Sequence, residues 1–163
     1  MITRITAGAI LTYKNKILLM KRGLHKKLAP GLWAFIGGHL ELEDIKNPSE
    51  INLIDTCYRE VFEETKIAKQ DILNLKLRYM VVRKDDNEIR IHHHFISEVT
   101  SEFALPECDE GKLHWIDKKD IFDLPMSLSL KTAATHWLEN PDDDEMFIVI
   151  INRTGDSAEI LEL

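Results

Sequence analysis

The run Arg59-Glu60-Val61-Phe62-Glu63-Glu64 sets three carboxylates at i, i+3 and i+4, a spacing that makes them neighbours on one helix face. Ile54, Cys57, Tyr58, Val61 and Phe62 recur at roughly 3.6-residue spacing and form an apolar stripe on the other face. The segment is therefore expected to be an amphipathic helix docked through that stripe, with its acidic face turned outward to solvent or a cleft. Three like charges so close together are unfavourable without a cation, and a hard divalent metal accepts carboxylate oxygens readily. A solvated surface with Arg59 paired to Glu63 satisfies the same spacing, so the helix alone does not choose between the two.

Upstream residues add a second constraint. Gly31-Leu32-Trp33-Ala34-Phe35-Ile36-Gly37-Gly38 carries an aromatic strand into a Gly-Gly turn, and Glu41 and Glu43 follow it. Taken together, Gly37, five residues, Glu43, and then Arg59-Glu60-Val61-x-Glu63-Glu64-x-x-Ile67 strongly resemble the Nudix box, G-x5-E-x7-R-E-U-x-E-E-x-G-U with U apolar. Leu18 to Arg22, Pro30 to Trp33, and Glu110 to Ile116 with its Trp115 are similar to the segments flanking the box in small MutT-like members, so the likeness spans residues 5 to 125.

Three positions depart from the pattern. Fifteen residues separate Glu43 from Arg59, an insertion of eight; Lys66 replaces the last Gly; and Ile36 stands where Pro usually precedes the Gly pair. A non-Gly residue in the left-handed conformation after a helix costs only about 1 kcal/mol, so Lys66 weakens a turn and leaves the chemistry intact. For the insertion, Asn47-Pro48-Ser49-Glu50 reads as an N-cap followed by Pro at N1 and an acid at N3, predicting a helix from about Pro48 to Thr65. Such a helix preserves the geometry of Glu60, Glu63 and Glu64, whereas the position of Glu43 relative to Arg59 does not follow from sequence.

The resemblance implies a fold and a chemistry. It implies an α+β domain over residues 1–163, an α/β/α sandwich with a mixed sheet and the box helix on it. It implies a metal-dependent pyrophosphohydrolase that cleaves a phosphoanhydride bond in a nucleoside diphosphate linked to another group. The first expectation is a nucleoside triphosphate, oxidised or not, giving the monophosphate and pyrophosphate. An ADP-ribose or sugar-nucleotide pyrophosphatase is the alternative within the family, and a nucleotide-binding module without hydrolysis is the alternative outside enzymology. The three box acids favour an enzyme, and the absence of the proline associated with ADP-ribose members after the box favours triphosphates.

Carried over position by position, the likeness makes Glu60, Glu63 and Glu64 carboxylate ligands of Mg²⁺ or Mn²⁺, with the carbonyl of Gly37 beside them. Glu60 becomes the candidate base, Arg59 the residue that orients the glutamates, and Glu43 the acid that holds Arg59. Glu110 is a candidate extra acid reaching in from the loop before Trp115, or an exposed loop charge. Substrate contacts are expected at Arg22, Trp33, Phe35 and Gly38, although Trp33 beside Phe35 in a short strand also reads as core. Arg22, His25, Lys26 and Lys27 form a basic run that would attract phosphate or simply keep a loop soluble.

Composition bounds the remainder. At 163 residues and 44% apolar, the chain buries a core without disulfides. Cys57 and Cys108 are too few for a secreted framework, and Cys57 on the apolar stripe reads as a buried small hydrophobe. A net charge of −7 argues against a nucleic-acid surface. Neither a signal-peptide core near Met1 nor an apolar run of membrane-spanning length appears, so a cytoplasmic protein is expected, monomeric or homodimeric, acting on a small-molecule nucleotide. Hairpins are predicted at Thr6 to Lys21, at Asn74 to Val99 and at Met146 to Leu161, with short strands at Leu32 to Ile36 and Leu113 to Ile116 and a helix at Ser127 to Leu138. His92-His93-His94 in a strand alternate faces; His92 and His94 share one, and a strand passing near the site is the preferred reading over a metal site.

Overall fold

A computed structural model describes residues 1–45, 52–152 and 154–162. Strand β1 (Ile2–Tyr13) turns through Lys14, which has a left-handed φ of 54°, into antiparallel β2 (Lys16–Arg22). Strands β3 (Trp33–Ala34) and β4 (Ile36–His39) follow, then helix α1 (Leu53–Thr65), β5 (Ile72–Lys84), β6 (Glu88–Val99) and β7 (Gly111–Asp117). Helix α2 (Leu128–Glu139) and the closing hairpin β8 (Phe147–Ile151) and β9 (Ala158–Glu162) complete the described chain. All the expected hairpins form. The described residues contain no helix long and apolar enough to cross a membrane.

Among the described residues nine strands make one mixed sheet, seven of them in the order β3-β2-β1-β6-β5-β8-β9, with β1 parallel to β6 and β5 parallel to β8. Strand β7 lines the whole of β2 from Lys16 to Arg22, so β1 and β3 share the other edge of β2. Beyond Leu11 the partners part: β3 pairs with Met20 and Lys21, and after Phe35 the chain crosses to β1 as β4, where Thr6 to Ala9 pair with His39 to Ile36. The Gly-Gly turn of the sequence is thus the segment that fills a fork in the sheet.

Each face of the sheet has its own core. Ala7, Ala9, Leu11, Leu18, Met20 and Ile36 pack with Cys57 and Val61 of α1. Ile10, Leu19, Tyr79, Val81 and Val149 pack on the other side with Ala133 and Trp137 of α2. One helix on each face is the α/β/α sandwich expected. Burial pushes the Cys57 thiol up to about 12, which makes it the inert hydrophobe that its place on the stripe implied.

Helix α1 departs from expectation in two respects. It begins at Leu53, with Asn52 as N-cap accepting from Asp55 N–H at 3.3 Å, and not near Pro48. Asn47 to Glu50, expected to cap it, lie outside the described residues. The helix is also rotated about its axis: Thr56, Glu60 and Glu64 are buried, whereas Ile54 and Phe62 are 43% and 50% exposed. The acidic face turns inward because α1 sits over the fork, where two glycines supply no side chains and leave room for carboxylates.

Candidate active site

The site begins with the glycines. Gly37 lies back to back with Gly8 of β1 and has φ of 152°, so a side chain at either position would strike the other strand's backbone. At Gly38 a Cβ would collide with the Glu60 carboxylate itself. The pair therefore forms a bare shelf against which α1 lays two acids. The Gly37 N–H donates to Glu64 Oε2 at 3.1 Å.

Both acids are held where ionisation is difficult. Burial raises the pKa of Glu60, partly offset by Arg59, and Glu63 and Glu41 add to the rise. For Glu64 burial pushes the value up to about 8; the Gly37 N–H opposes this, while Glu60 and Glu110 reinforce it. Glu63, with a side chain 56% exposed, stands at the rim.

Arg59 organises the group. Its Nε donates to Asp44 Oδ1 at 3.0 Å and its Nη2 to Asp44 Oδ2 at 2.8 Å, a two-pronged pair. The remaining donors reach the His39 carbonyl at 2.9 Å, Glu60 Oε1 at 2.9 Å and Glu63 Oε2 at 3.3 Å. All five guanidinium N–H groups are used. Asp44 is in turn anchored by the Glu41 N–H at 3.0 Å, and the bond from Arg59 holds its carboxyl down to about 2.

Asp44 thus holds Arg59, the role expected of Glu43, whose side chain lies outside the described residues. A signal for Asp44 was present in the sequence: counted from Gly38 instead of Gly37, the five-residue gap ends on Asp44. Fourteen residues then separate it from Arg59, and the insertion shortens to seven. His39, contributing only a carbonyl, left no sequence signal.

The other candidates are placed as follows. Glu110 meets Lys26 Nζ at 2.5 Å and Arg22 Nη1 at 3.6 Å, and its charge is felt at Glu64. Arg22 also donates from Nε to the Leu28 carbonyl at 3.0 Å. Trp33 and Phe35 are buried in the α2-side core, on the opposite face of the sheet from Glu60 and Glu64. His92 and His94 do share a face, with rings 6.2 Å apart and nearly parallel. His92 Nδ1 meets Thr6 Oγ1 at 2.6 Å, and His94 is wedged edge-on against Phe35, where burial holds its pKa down to about 3.

Among the described residues no three His, Cys, Asp or Glu side chains converge as a finished ion cage, because Glu60 and Glu63 each aim an oxygen at Arg59. The donor chemistry nevertheless fits a hard divalent cation. Glu60, Glu63 and Glu64 offer only carboxylate oxygens, and Glu64 sits buried with like charges around it and a single backbone N–H in direct contact.

Comparison with known proteins agrees with this arrangement. Residues 2–154 match the NUDIX domain. The Nudix hydrolase YvcI of Bacillus subtilis (strain 168) is 30% identical over 129 residues, covering 76% of this chain and 72% of that protein. A crystal structure of the mutator MutT protein from Bacillus halodurans superposes with a TM-score of 0.69 at 22% identity, over 96% of this chain and 97% of that one. A Nudix hydrolase from Nitrosomonas europaea gives 0.70 at 16% identity, over 94% and 81%; at such identities the solved structures establish the shared fold. With a domain match across most of its length and acids set on a glycine shelf beneath the box helix, the chain belongs to the Nudix family of pyrophosphohydrolases, enzymes that act on nucleoside diphosphate-linked substrates and generally need a divalent metal.

Proposed function

We propose that the protein hydrolyses a phosphoanhydride bond of a nucleoside triphosphate, with an ordinary or an oxidised base, to the monophosphate and pyrophosphate, using Mg²⁺ or Mn²⁺. The observation that carries this reading is the pair of buried carboxylates, Glu60 and Glu64, set on the Gly37-Gly38 shelf and aligned by an Arg59 clamped to Asp44.

A divalent ion held by Glu60, Glu63 and Glu64, with the Gly37 carbonyl beside them, would neutralise phosphate oxygens and acidify a water. The chain's own residues supply the rest. Glu60, with its affinity for protons raised by burial, is suited to accept the proton of the attacking water. Arg59 keeps the Glu60 carboxylate at 2.9 Å in one orientation, which removes the rearrangement that a free side chain would need during reaction. Glu64 is fixed against the shelf by the Gly37 N–H. Arg22 and Lys26 pair with Glu110, the candidate extra acid, and would be free to meet phosphate oxygens if that acid turned to a metal.

The test is a screen of nucleoside triphosphates, oxidised purine triphosphates, ADP-ribose, dinucleoside polyphosphates and coenzyme A with Mg²⁺ or Mn²⁺, detecting pyrophosphate, phosphate and mononucleotide separately. Triphosphates giving monophosphate and pyrophosphate are the expected result. A clear preference for ADP-ribose or a sugar nucleotide would replace the substrate assignment, and no cleavage of any of these with either metal would defeat the reading.

A further inference from the structure

Helix α2 covers its face of the sheet at β8 and β9, whereas α1 packs on β1 and β4 and leaves the outer half of its own face bare among the described residues. Side chains alternate along each strand. In β5, Tyr79 and Val81 enter the α2-side core, so Met80 and Val82 take the other face; in β8, Val149 does the same for Ile148 and Ile150. Met80, Val82 and Ile148 are only half-buried, Ile150 and Leu161 are 40% and 38% exposed, and all five stand outside both cores. An apolar sheet face without a covering element is a surface for binding.

Strand register joins this face to the acids. Gly38, where a Cβ would meet the Glu60 carboxylate, pairs with Ala7, and Ala7 with His93. The same row continues from His93 through Met80 and Ile148 to Leu161. Directly paired residues project to one side of a sheet, so Glu60 and this row share a face. Ala7 is buried, and the open surface starts at His93, two strands from Gly38 or about 10 Å at ordinary strand spacing. The next row on that face, Ile5, Ile91, Val82 and Ile150, is apolar and meets a charge only at Glu159 on β9.

His93 is the single polar side chain in these two rows between the glycine shelf and β9. Its Nδ1 lies 3.3 Å from the Thr6 carbonyl, which can only accept, so Nδ1 carries the proton. Burial lowers the His93 pKa, against the Thr6 bond, and a neutral ring protonated at Nδ1 leaves Nε2 as an acceptor. That nitrogen has no hydrogen-bond partner among the described residues. His92 and His94 face the other way, one bonded to Thr6 Oγ1 and the other set edge-on to Phe35.

We propose that His93 is the specificity-determining residue of the site: with the phosphates at Glu60 and Glu64, the base of the nucleotide lies against Ile5, Ile91, Met80 and Val82, and His93 Nε2 accepts a hydrogen bond from an N–H on its edge. A flat uncharged ring suits an apolar surface with one fixed acceptor, and Met80 adds a polarisable thioether. Bases that carry an amino group or ring N–H are therefore preferred to one that has neither. The inference rests on the proposed hydrolysis and adds the choice of base.

Two readouts on the full chain with Mg²⁺ test it. The first is kcat/KM for the better of adenosine and guanosine triphosphate relative to purine riboside triphosphate, whose base has no N–H. The parent is expected to favour the donor-bearing nucleotide by about tenfold, the worth of one hydrogen bond. His93→Phe should bring the ratio to about one, the loss falling on the donor-bearing nucleotide, and His93→Gln, whose amide oxygen accepts, should restore part of it. The second readout needs no turnover: by titration calorimetry, Kd for the corresponding monophosphate should be about tenfold higher in His93→Phe.

No preference in the parent, or an unchanged ratio in His93→Phe, would overturn the proposal while triphosphate hydrolysis stands. So would a parent dimer that Val82→Asp dissociates with monophosphate affinity intact, since a second copy would then own the face. Binding of monophosphate through His93 without hydrolysis of any nucleotide would instead remove the proposed function and leave the base site standing.

Discussion

Glu64 is an ordinary residue whose chemistry comes from its surroundings, and it yields the sharpest predictions at the residue scale. On the proposed mechanism Glu60→Gln and Glu64→Gln should each lower kcat by about 10²-fold or more, because each would remove a group acting in the transition state. Steady-state kinetics on the preferred nucleotide decides this, and near-parent rates in both would move the site elsewhere. Glu64 also makes a pH prediction. Its folded pKa is about 8 against an ordinary 4.5, so between these values the folded, metal-free protein holds a proton that the unfolded chain has released. The resulting stabilisation is complete below pH 4.5 and is lost as pH rises through 8. Thermal melts across that window should fall with pH in the parent and lose most of that slope in Glu64→Gln. Asp44 behaves in the opposite sense: held down to about 2 from 3.8, it stabilises the fold above pH 3.8 and ceases to do so as pH drops toward 2. Asp44→Asn should therefore cost about 2 kcal/mol at neutral pH by denaturant titration and should lower kcat as Arg59 loses its anchor.

At the scale of elements, helix α1 was legible as a helix and mislocated in its details. The 3.6-residue pattern and the three glutamates identified it, because both are local properties of the chain. Its start came from the structure: Asn52 caps it through the Asp55 N–H, while the expected cap at Asn47-Pro48 lies outside the described residues. The rotation that buries Glu60 and Glu64 in place of Ile54 and Phe62 depends on the glycine shelf of β4, which belongs to another element. The caps give measurable consequences. Asn52→Ala should cost about 1 kcal/mol of stability as a lost N-cap. At the other end Lys66 takes the left-handed conformation, φ 61°, that the family pattern reserves for Gly, and its N–H bonds the Phe62 carbonyl at 2.9 Å. Lys66→Gly should change stability by no more than about 1 kcal/mol, in the stabilising direction unless the added freedom of the unfolded chain cancels it. Denaturant melts of both variants check these signs, and a large loss in Lys66→Gly would mean that the lysine side chain, bonded to the Glu63 carbonyl, matters more than its backbone.

On the scale of the whole molecule, buried like charges at the centre of an acidic protein predict that metal and fold are coupled. A divalent ion that binds only the folded state at a hundred times its Kd should add about 2.7 kcal/mol of stability. Thermal melts with Mg²⁺ or Mn²⁺ against excess chelator read this, and the gain should vanish in Glu64→Gln; full hydrolysis in chelator after metal-free preparation would exclude the proposed chemistry. The sequence by itself determined the hairpins, the two helices and the family, and set Glu60, Glu63 and Glu64 along one helix, since each depends on spacing within a few residues or on one continuous motif; that the Gly-Gly segment is strand β4 and not a turn came from the structure. Only the tertiary structure decided that Asp44 holds Arg59, that the acids lie buried on Gly37 and Gly38, and that His93 shares a sheet face with Glu60. Those relations join residues tens of positions apart, and their geometry is set by the fork between β1 and β2, where sheet pairing, and not local chain chemistry, fixes which groups meet.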